Sequence, residues 1–182
     1  MVLISGPSGC GKSTIIQRLL SVPQVEFSVS ATTRPIRDGE VDGVDYHFLS
    51  KEEFRSRVED GAFIEWAEVY GNLYGTLRAP MEAAIQADRV FLVEIDVQGA
   101  LQLRALGEEG VFVFIAPPSF EELQKRLVGR GTEAVEVIER RLKKAEDEYR
   151  ERVKYDHVVV NDDLDRAVAE VRSLAGIAEE NL

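Results

Sequence analysis

Short apolar runs rich in β-branched and aromatic residues recur at residues 2 to 5, 89 to 95, 111 to 116 and 157 to 160. They are too short for buried helices and too continuously apolar for strands with one wet face, so they read as strands buried on both sides. Between most of them the apolar positions take a helical period. Ser119 precedes Phe120-Glu121-Glu122 as a capping box, and Leu123 and Leu127 follow at i, i+4 spacing. Ile138, Leu142, Ala145 and Tyr149 form one stripe of a long helix ending near Arg152. Asp163 can cap a last helix carrying Leu164, Ala167, Val168, Val171 and Leu174. Buried strands separated by helices predict an α/β domain, a parallel sheet with helices on both faces.

Residues 26–77 break this alternation. Strand-like pieces stand at Phe27-Ser28-Val29, Tyr46-His47-Phe48-Leu49, Ala62-Phe63-Ile64-Glu65-Trp66 and Leu73-Tyr74-Gly75-Thr76, with Gly71-Asn72 as a tight turn before the last. A second capping box, Ser50-Lys51-Glu52-Glu53, opens one short helix with Phe54 and Val58. The expectation is a small, mostly antiparallel insert hung on the core, where a second substrate would bind.

Gly6-Pro7-Ser8-Gly9-Cys10-Gly11-Lys12-Ser13, followed by Thr14, completes the spacing G-x-x-x-x-G-K-[ST] between the first strand and a helix start. The glycines allow torsions that a Cβ forbids, so consecutive N–H groups can converge on a phosphate chain at the helix N-terminus. Lys12 supplies a mobile charge to the outer phosphates and Ser13 a hydroxyl for Mg2+. The core is therefore expected to be of the P-loop NTPase type.

Composition narrows the setting. A length of 182 residues, 45% of them hydrophobic, predicts one soluble globular domain. No run approaches the ~18 apolar residues of a membrane span, and a phosphate loop beginning at residue 6 leaves no room for a secretory leader, so the expected location is cytoplasmic. Cys10, the single cysteine, sits in the loop as a small filler. A net charge of −11 argues against nucleic-acid and anionic-membrane partners, and no obligate protein partner is implied. An acidic chain that binds polyanions must gather its cations locally, and the arginines do cluster, as Arg34 with Arg37, Arg126 with Arg130, and Arg140 with Arg141.

Arg34-Pro35-Ile36-Arg37 offers two permanently charged forks to one phosphate, or else is a solvated basic loop. Tyr46 and Tyr74 either donate hydroxyls to that phosphate or pack in a core. By alternation Glu65 shares a face with Phe63. It faces solvent, the commoner fate, or accepts from guanine N1–H and N2–H, which adenine cannot match. Glu94 and Asp96 stand on one face at the C-terminal end of a buried strand, where open sheets place their ligands. They hold Mg2+ through water, accept from a base or ribose, or simply end the strand in solvent. Arg126, Arg130 and Arg141 flank a short segment suited to closing over a triphosphate, the alternative being helix-surface pairing of Arg126 and Arg130 with Glu122.

Taken in order, the loop at Gly6 to Thr14, Thr32-Thr-Arg-Pro-Ile-Arg37, Asp38-Gly-Glu-Val-Asp-Gly-Val-Asp-Tyr46, Tyr74-Gly-Thr76, Ile95-Asp-Val-Gln-Gly99, Arg130-Gly-Thr132 and Asn161-Asp-Asp163 resemble the guanylate kinase family across nearly the whole chain. The resemblance implies Mg2+-dependent transfer of the γ-phosphoryl group of ATP to GMP, with dGMP a second acceptor, giving ADP and GDP. It implies that Arg34, Arg37, Tyr46 and Tyr74 hold the acceptor phosphate, while Ser30, Glu65, Thr76 with its neighbour Gly75, and Asp96 read guanine. Glu94 joins the Mg2+ or base network. Residues Gly6 to Thr14 with Arg130 would hold ATP and Asn161 would meet its adenine, while Lys12, Arg37, Arg126, Arg130 and Arg141 would serve transfer. The implied fold has a core at about 1–30, 78–125 and 153–182, a GMP-binding insert at about 31–77 and a lid at about 126–152. Guanylate-kinase-like scaffold domains resemble this chain but typically lack a working phosphate loop, which is intact here.

Overall fold

In the computed structural model, which describes residues 1–69, 71–128 and 135–177, the four apolar runs are strands of one sheet. The chain begins with β1 (Val2–Ser5), α1 (Lys12–Leu19) and β2 (Val25–Phe27). A second group follows, β3 (Ala31–Thr32), β4 (His47–Phe48), α2 (Lys51–Glu59), β5 (Phe63–Val69) and β6 (Asn72–Leu77). It then returns through α3 (Arg78–Gln86), β7 (Val90–Glu94), α4 (Val97–Ala105), β8 (Val111–Ala116), α5 (Phe120–Val128) and α6 (Val135–Arg150). A 3-10 turn at Glu151–Lys154 leads to β9 (His157–Val160) and α7 (Leu164–Leu174).

The main sheet runs β2-β7-β1-β8-β9, with every pairing parallel. Parallel neighbours need crossovers, and here the crossover helices dry both faces. Ile4 of the central strand packs with Ile15, Leu19, Ala167 and Val171 of α1 and α7, while Leu3 next to it packs with Met81, Ala84, Ala100 and Leu103 of α3 and α4. Leu3 and Ile4 are wholly buried. Truncating either to alanine would cost about 2–5 kcal/mol, because neither side of the sheet can collapse into the gap.

The second sheet, ordered β4-β3-β6-β5, is antiparallel at β3–β6 and β5–β6 and parallel at β3–β4. It has its own small core, in which Phe54 of α2 stacks on Phe63 with ring centroids 4.4 Å apart. The capping box of α2 forms in full: Ser50 Oγ accepts from Glu53 N at 3.1 Å, and Glu53 Oε2 accepts from Ser50 N at 2.9 Å. Pairing of Val69 with Asn72 brings β5 and β6 together beside Gly71, whose φ of 80° needs no side chain.

One expectation needs correction, and one strand has no counterpart in the sequence reading. The strand-like piece at residues 27–29 does not belong to the insert. The strand is Val25–Phe27, and it extends the main sheet by pairing with β7, because Val25 buries its side chain in the main core. The two-residue strand β3 is too short for any periodicity and was not expected.

Candidate active site

The phosphate loop leaves the C-terminal end of β1 and enters α1. Gly6 has φ 140°, and a Cβ there would lie 2.3 Å from the Ile115 carbonyl oxygen. Gly11 has φ 96°, and a Cβ would lie 2.2 Å from Asn161 Nδ2. Both glycines are thus required twice over, by torsion and by contact. Asn161 is buried and its Nδ2 donates to the Cys10 carbonyl at 2.8 Å, so its amide braces the loop. Lys12 folds back, donating from Nζ to the carbonyls of Gly6 at 2.7 Å and Pro7 at 3.0 Å. Cys10 is buried in the core, and burial pushes its thiol pKa up, which leaves it inert packing.

Beside the loop is a cavity of about 370 Å3 lined by Gly6, Ser8, Gly9, Gly11 to Thr14, Tyr46, Glu94, Ile95, Asp96, Lys144 and Glu148. A second cavity, of about 210 Å3, lies against the small sheet and is lined by Ser30, Tyr46, Glu65, Ala67, Val69, Tyr74 to Thr76, Glu94, Ile95 and Asp96. Tyr46, Glu94, Ile95 and Asp96 belong to both, so the two cavities share a wall.

In the smaller cavity Glu65 is buried, against the solvent-facing reading of its sequence. Register shifts between Phe63 and Glu65, so Phe63 pairs with Leu77 while Glu65 pairs with Thr76. The irregularity breaks simple alternation and re-aims the carboxylate. Thr76 Oγ1 donates to Glu65 Oε1 at 2.7 Å. Burial raises the Glu65 pKa, with the Thr76 hydrogen bond opposing. Tyr46 and Tyr74 meet edge to face at 6.1 Å, forming one side of the cavity. Gly75 is there for space, since a Cβ would sit 2.8 Å from the Phe63 ring.

Glu94 ends β7, and its Oε1 accepts from Ser13 Oγ at 3.5 Å. Burial raises its pKa, with Lys12 opposing. Asp96 does not continue the strand, as its pairing with Glu94 on one strand face supposed. It is the N-cap of α4, its Oδ1 accepting from Gly99 N at 2.8 Å, while it still lines both cavities.

The arginines divide. Arg34 packs 5.5 Å from the centre of the Tyr46 ring and is held by Glu40, and Arg37 is exposed; neither is among the residues lining these two cavities. Arg126 pairs with Glu122 at 3.4 Å and donates to the Asn161 carbonyl at 3.3 Å, the surface pairing its spacing allowed, and it too is absent from the lining of the loop cavity. Arg141, from α6, donates to Ser8 Oγ at 3.1 Å and so touches the phosphate loop. Arg130 lies outside the described residues. The sequence reading missed Lys144 and Glu148, which line the loop cavity one and two helical turns beyond Arg141, although that spacing was legible.

The sequence model of the family described as guanylate kinase matches residues 1–176. The guanylate kinase of Syntrophotalea carbinolica is 50% identical over 175 residues, 96% of this chain and 83% of that protein. That of Parasynechococcus marenigrum is 48% identical over 178 residues, 97% of this chain and 98% of that protein. The crystal structure of guanylate kinase from Anaplasma phagocytophilum superposes with a TM-score of 0.76 at 35% identity, covering 96% of this chain and 82% of that one.

Proposed function

The chain belongs to the guanylate kinase family, and from that premise we propose how it transfers the γ-phosphoryl group of ATP to GMP, giving ADP and GDP. The wall shared by the two cavities carries the reading: a donor triphosphate on the loop and an acceptor in the smaller cavity would meet across Tyr46, Glu94, Ile95 and Asp96. Guanine would seat its N1–H and N2–H on the Glu65 carboxylate, held toward it by Thr76, with Ser30 and Asp96 at the cavity's edge. Arg34, Arg37, Tyr46 and Tyr74 would take the acceptor phosphate, and dGMP, differing only at the ribose, would serve as well.

Little covalent chemistry falls to the protein; it aligns the acceptor oxygen with the γ-phosphorus and neutralises charge between them. A phosphate on the loop amides would offer Lys12 oxygens better than the neutral carbonyls it now holds. Arg141 already reaches the loop, and Arg126 and Arg130 would join it as residues 126–152 close as a lid over ATP. Asn161 braces the loop and would bound the adenine side.

The donor set fits Mg2+: the Ser13 hydroxyl stands beside Glu94 and Asp96, and among the described residues no cluster of three or more His, Cys, Asp or Glu side chains could cage a metal alone. That suits a cation that retains waters and takes most of its ligands from phosphate. Ser13 would hold it directly and Glu94 and Asp96 through water, and the chemistry it would supply is neutralisation of charge on the phosphates.

Among the described residues no helix is long and apolar enough to cross a membrane. We place the enzyme in the cytoplasm, acting on small molecules, with no nucleic-acid, membrane or obligate protein partner. The deciding assay follows ATP consumption with GMP, dGMP, AMP, CMP, UMP and TMP as acceptors. GMP and dGMP should dominate, and turnover favouring another base would overturn the reading.

A further inference from the structure

We propose that Glu40 is a positioning residue for the acceptor phosphate: it holds Arg34 in one orientation and leaves one edge of the guanidinium for the ligand. This rests on the acceptor reading above. Arg34 Nη1 donates to Glu40 Oε2 at 3.0 Å and Nη2 to Glu40 Oε1 at 2.8 Å, an end-on fork, while Nη1 also donates to the Pro35 carbonyl at 2.8 Å. A guanidinium has five N–H donors. Those bonds use three, and the remaining two, on Nε and Nη2, point from the same edge, the side-on fork that suits a phosphate. Tyr74, which lines the smaller cavity, interacts with the same guanidinium, so a phosphate there would meet both side chains.

Glu40 is itself fixed. Its N–H donates to the Arg37 carbonyl at 3.1 Å, and its Oε2 accepts from Arg37 N at 2.8 Å, so a closed turn holds the carboxylate. The Arg34 side chain is only 11% exposed, packed near the rings of Tyr46 and Phe48 at 5.5 and 5.7 Å. An arginine already frozen loses little further rotamer freedom when it grips a ligand.

A carboxylate beside a phosphate site also repels the dianion, so the opposite role is a lock that GMP must displace. The geometry favours positioning, because Glu40 and phosphate would use different edges of Arg34, and the turn keeps Glu40 where it is.

The two roles give opposite signs in one experiment. Initial rates with GMP and ATP varied separately are compared for the parent and Glu40→Gln, whose amide keeps one acceptor but loses the charge and the second acceptor. The expected result is a KM for GMP raised about tenfold, with KM for ATP and kcat each moved by less than about threefold. Glu40→Ala should raise KM for GMP further, and thermal melts will report whether either variant is unfolded. A KM for GMP that is unchanged or lowered in folded variants overturns the proposal. Absence of GMP phosphorylation by the parent would overturn the acceptor reading instead, so the two failures are separable.

Discussion

Lys12 and Asn161 brace the phosphate loop through its backbone, Lys12 donating to the carbonyls of Gly6 and Pro7 and Asn161 to that of Cys10. In and beside the smaller cavity the contacts named above join side chain to side chain: Thr76 to Glu65, Arg34 to Glu40, and Tyr46 edge-on to Tyr74. A backbone cradle recognises what all nucleotides share, whereas a side-chain cavity can recognise what distinguishes one base. Substitutions in the loop should therefore harm transfer to every acceptor, and substitutions in the cavity should alter the ranking of acceptors.

The largest effect expected is from Lys12→Ala. Removing a charge aimed at the reacting phosphates should lower kcat/KM by about 3 kcal/mol or more, over a hundredfold, for GMP and dGMP alike. Steady-state rates with both acceptors test this. A variant within tenfold of the parent, or one impaired with only one acceptor, would break the distinction between the two sites.

Next is a pair of glycines. In Gly11→Ala the new methyl meets Asn161 Nδ2 at 2.2 Å on a backbone of φ 96°, whereas in Gly71→Ala it meets nothing within 4 Å at φ 80°. Strain alone should cost Gly71→Ala about 1 kcal/mol, while Gly11→Ala adds displacement of the Asn161 brace and should cost about 3 kcal/mol. Denaturant unfolding checks both values, and equal losses would mean that the brace carries no energy.

The same contrast decides what could be read from the sequence. The loop was legible because its function lies in spacing: glycine torsions, a helix start and Lys12 follow from consecutive residues. The main sheet was legible because strands buried on both sides cannot hide their apolar runs. Glu65 was not, because its burial depends on an irregularity beside Ile64 and a partner on the next strand, and alternation along β5 carries neither. By spacing from Glu94 alone Asp96 reads as a strand-end residue, although Asp before Val-Gln-Gly is also a fair N-cap signal. The bond that Arg34 donates to Glu40 likewise depends on how the loop turns, which Arg-Pro-Ile-Arg does not specify.

In Glu65→Gln the amide can still accept from Thr76 but presents an N–H to the guanine donors. The preference for GMP over AMP should fall by about 1–3 kcal/mol, the range for a mismatched buried polar group, with the preference for ATP as donor unchanged. Competition assays with the two monophosphates measure it, and an unchanged ratio would remove Glu65 from base recognition.

The smallest effect is a pH dependence at the same carboxylate. Burial raises the Glu65 pKa in the ligand-free protein, so the folded state holds that proton more tightly than the unfolded chain. The stabilising contribution is complete below the ordinary glutamate value of about 4.3 and is lost as pH rises through the raised one. Glu65→Gln should therefore melt above the parent at neutral pH, by about 1 kcal/mol or less, with the gap closing on acidification. Guanine pulls the other way, because it needs the ionised carboxylate. The parent's KM for GMP should rise as pH falls below the raised pKa, by at most about tenfold per pH unit for one proton. The GMP phosphate titrates nearby, but identically for both proteins, so the ratio of variant to parent KM isolates Glu65. That ratio should shrink as pH falls from neutrality through the raised pKa, and a ratio that stays constant down to the acid limit of folding would remove ionisation of Glu65 from GMP binding.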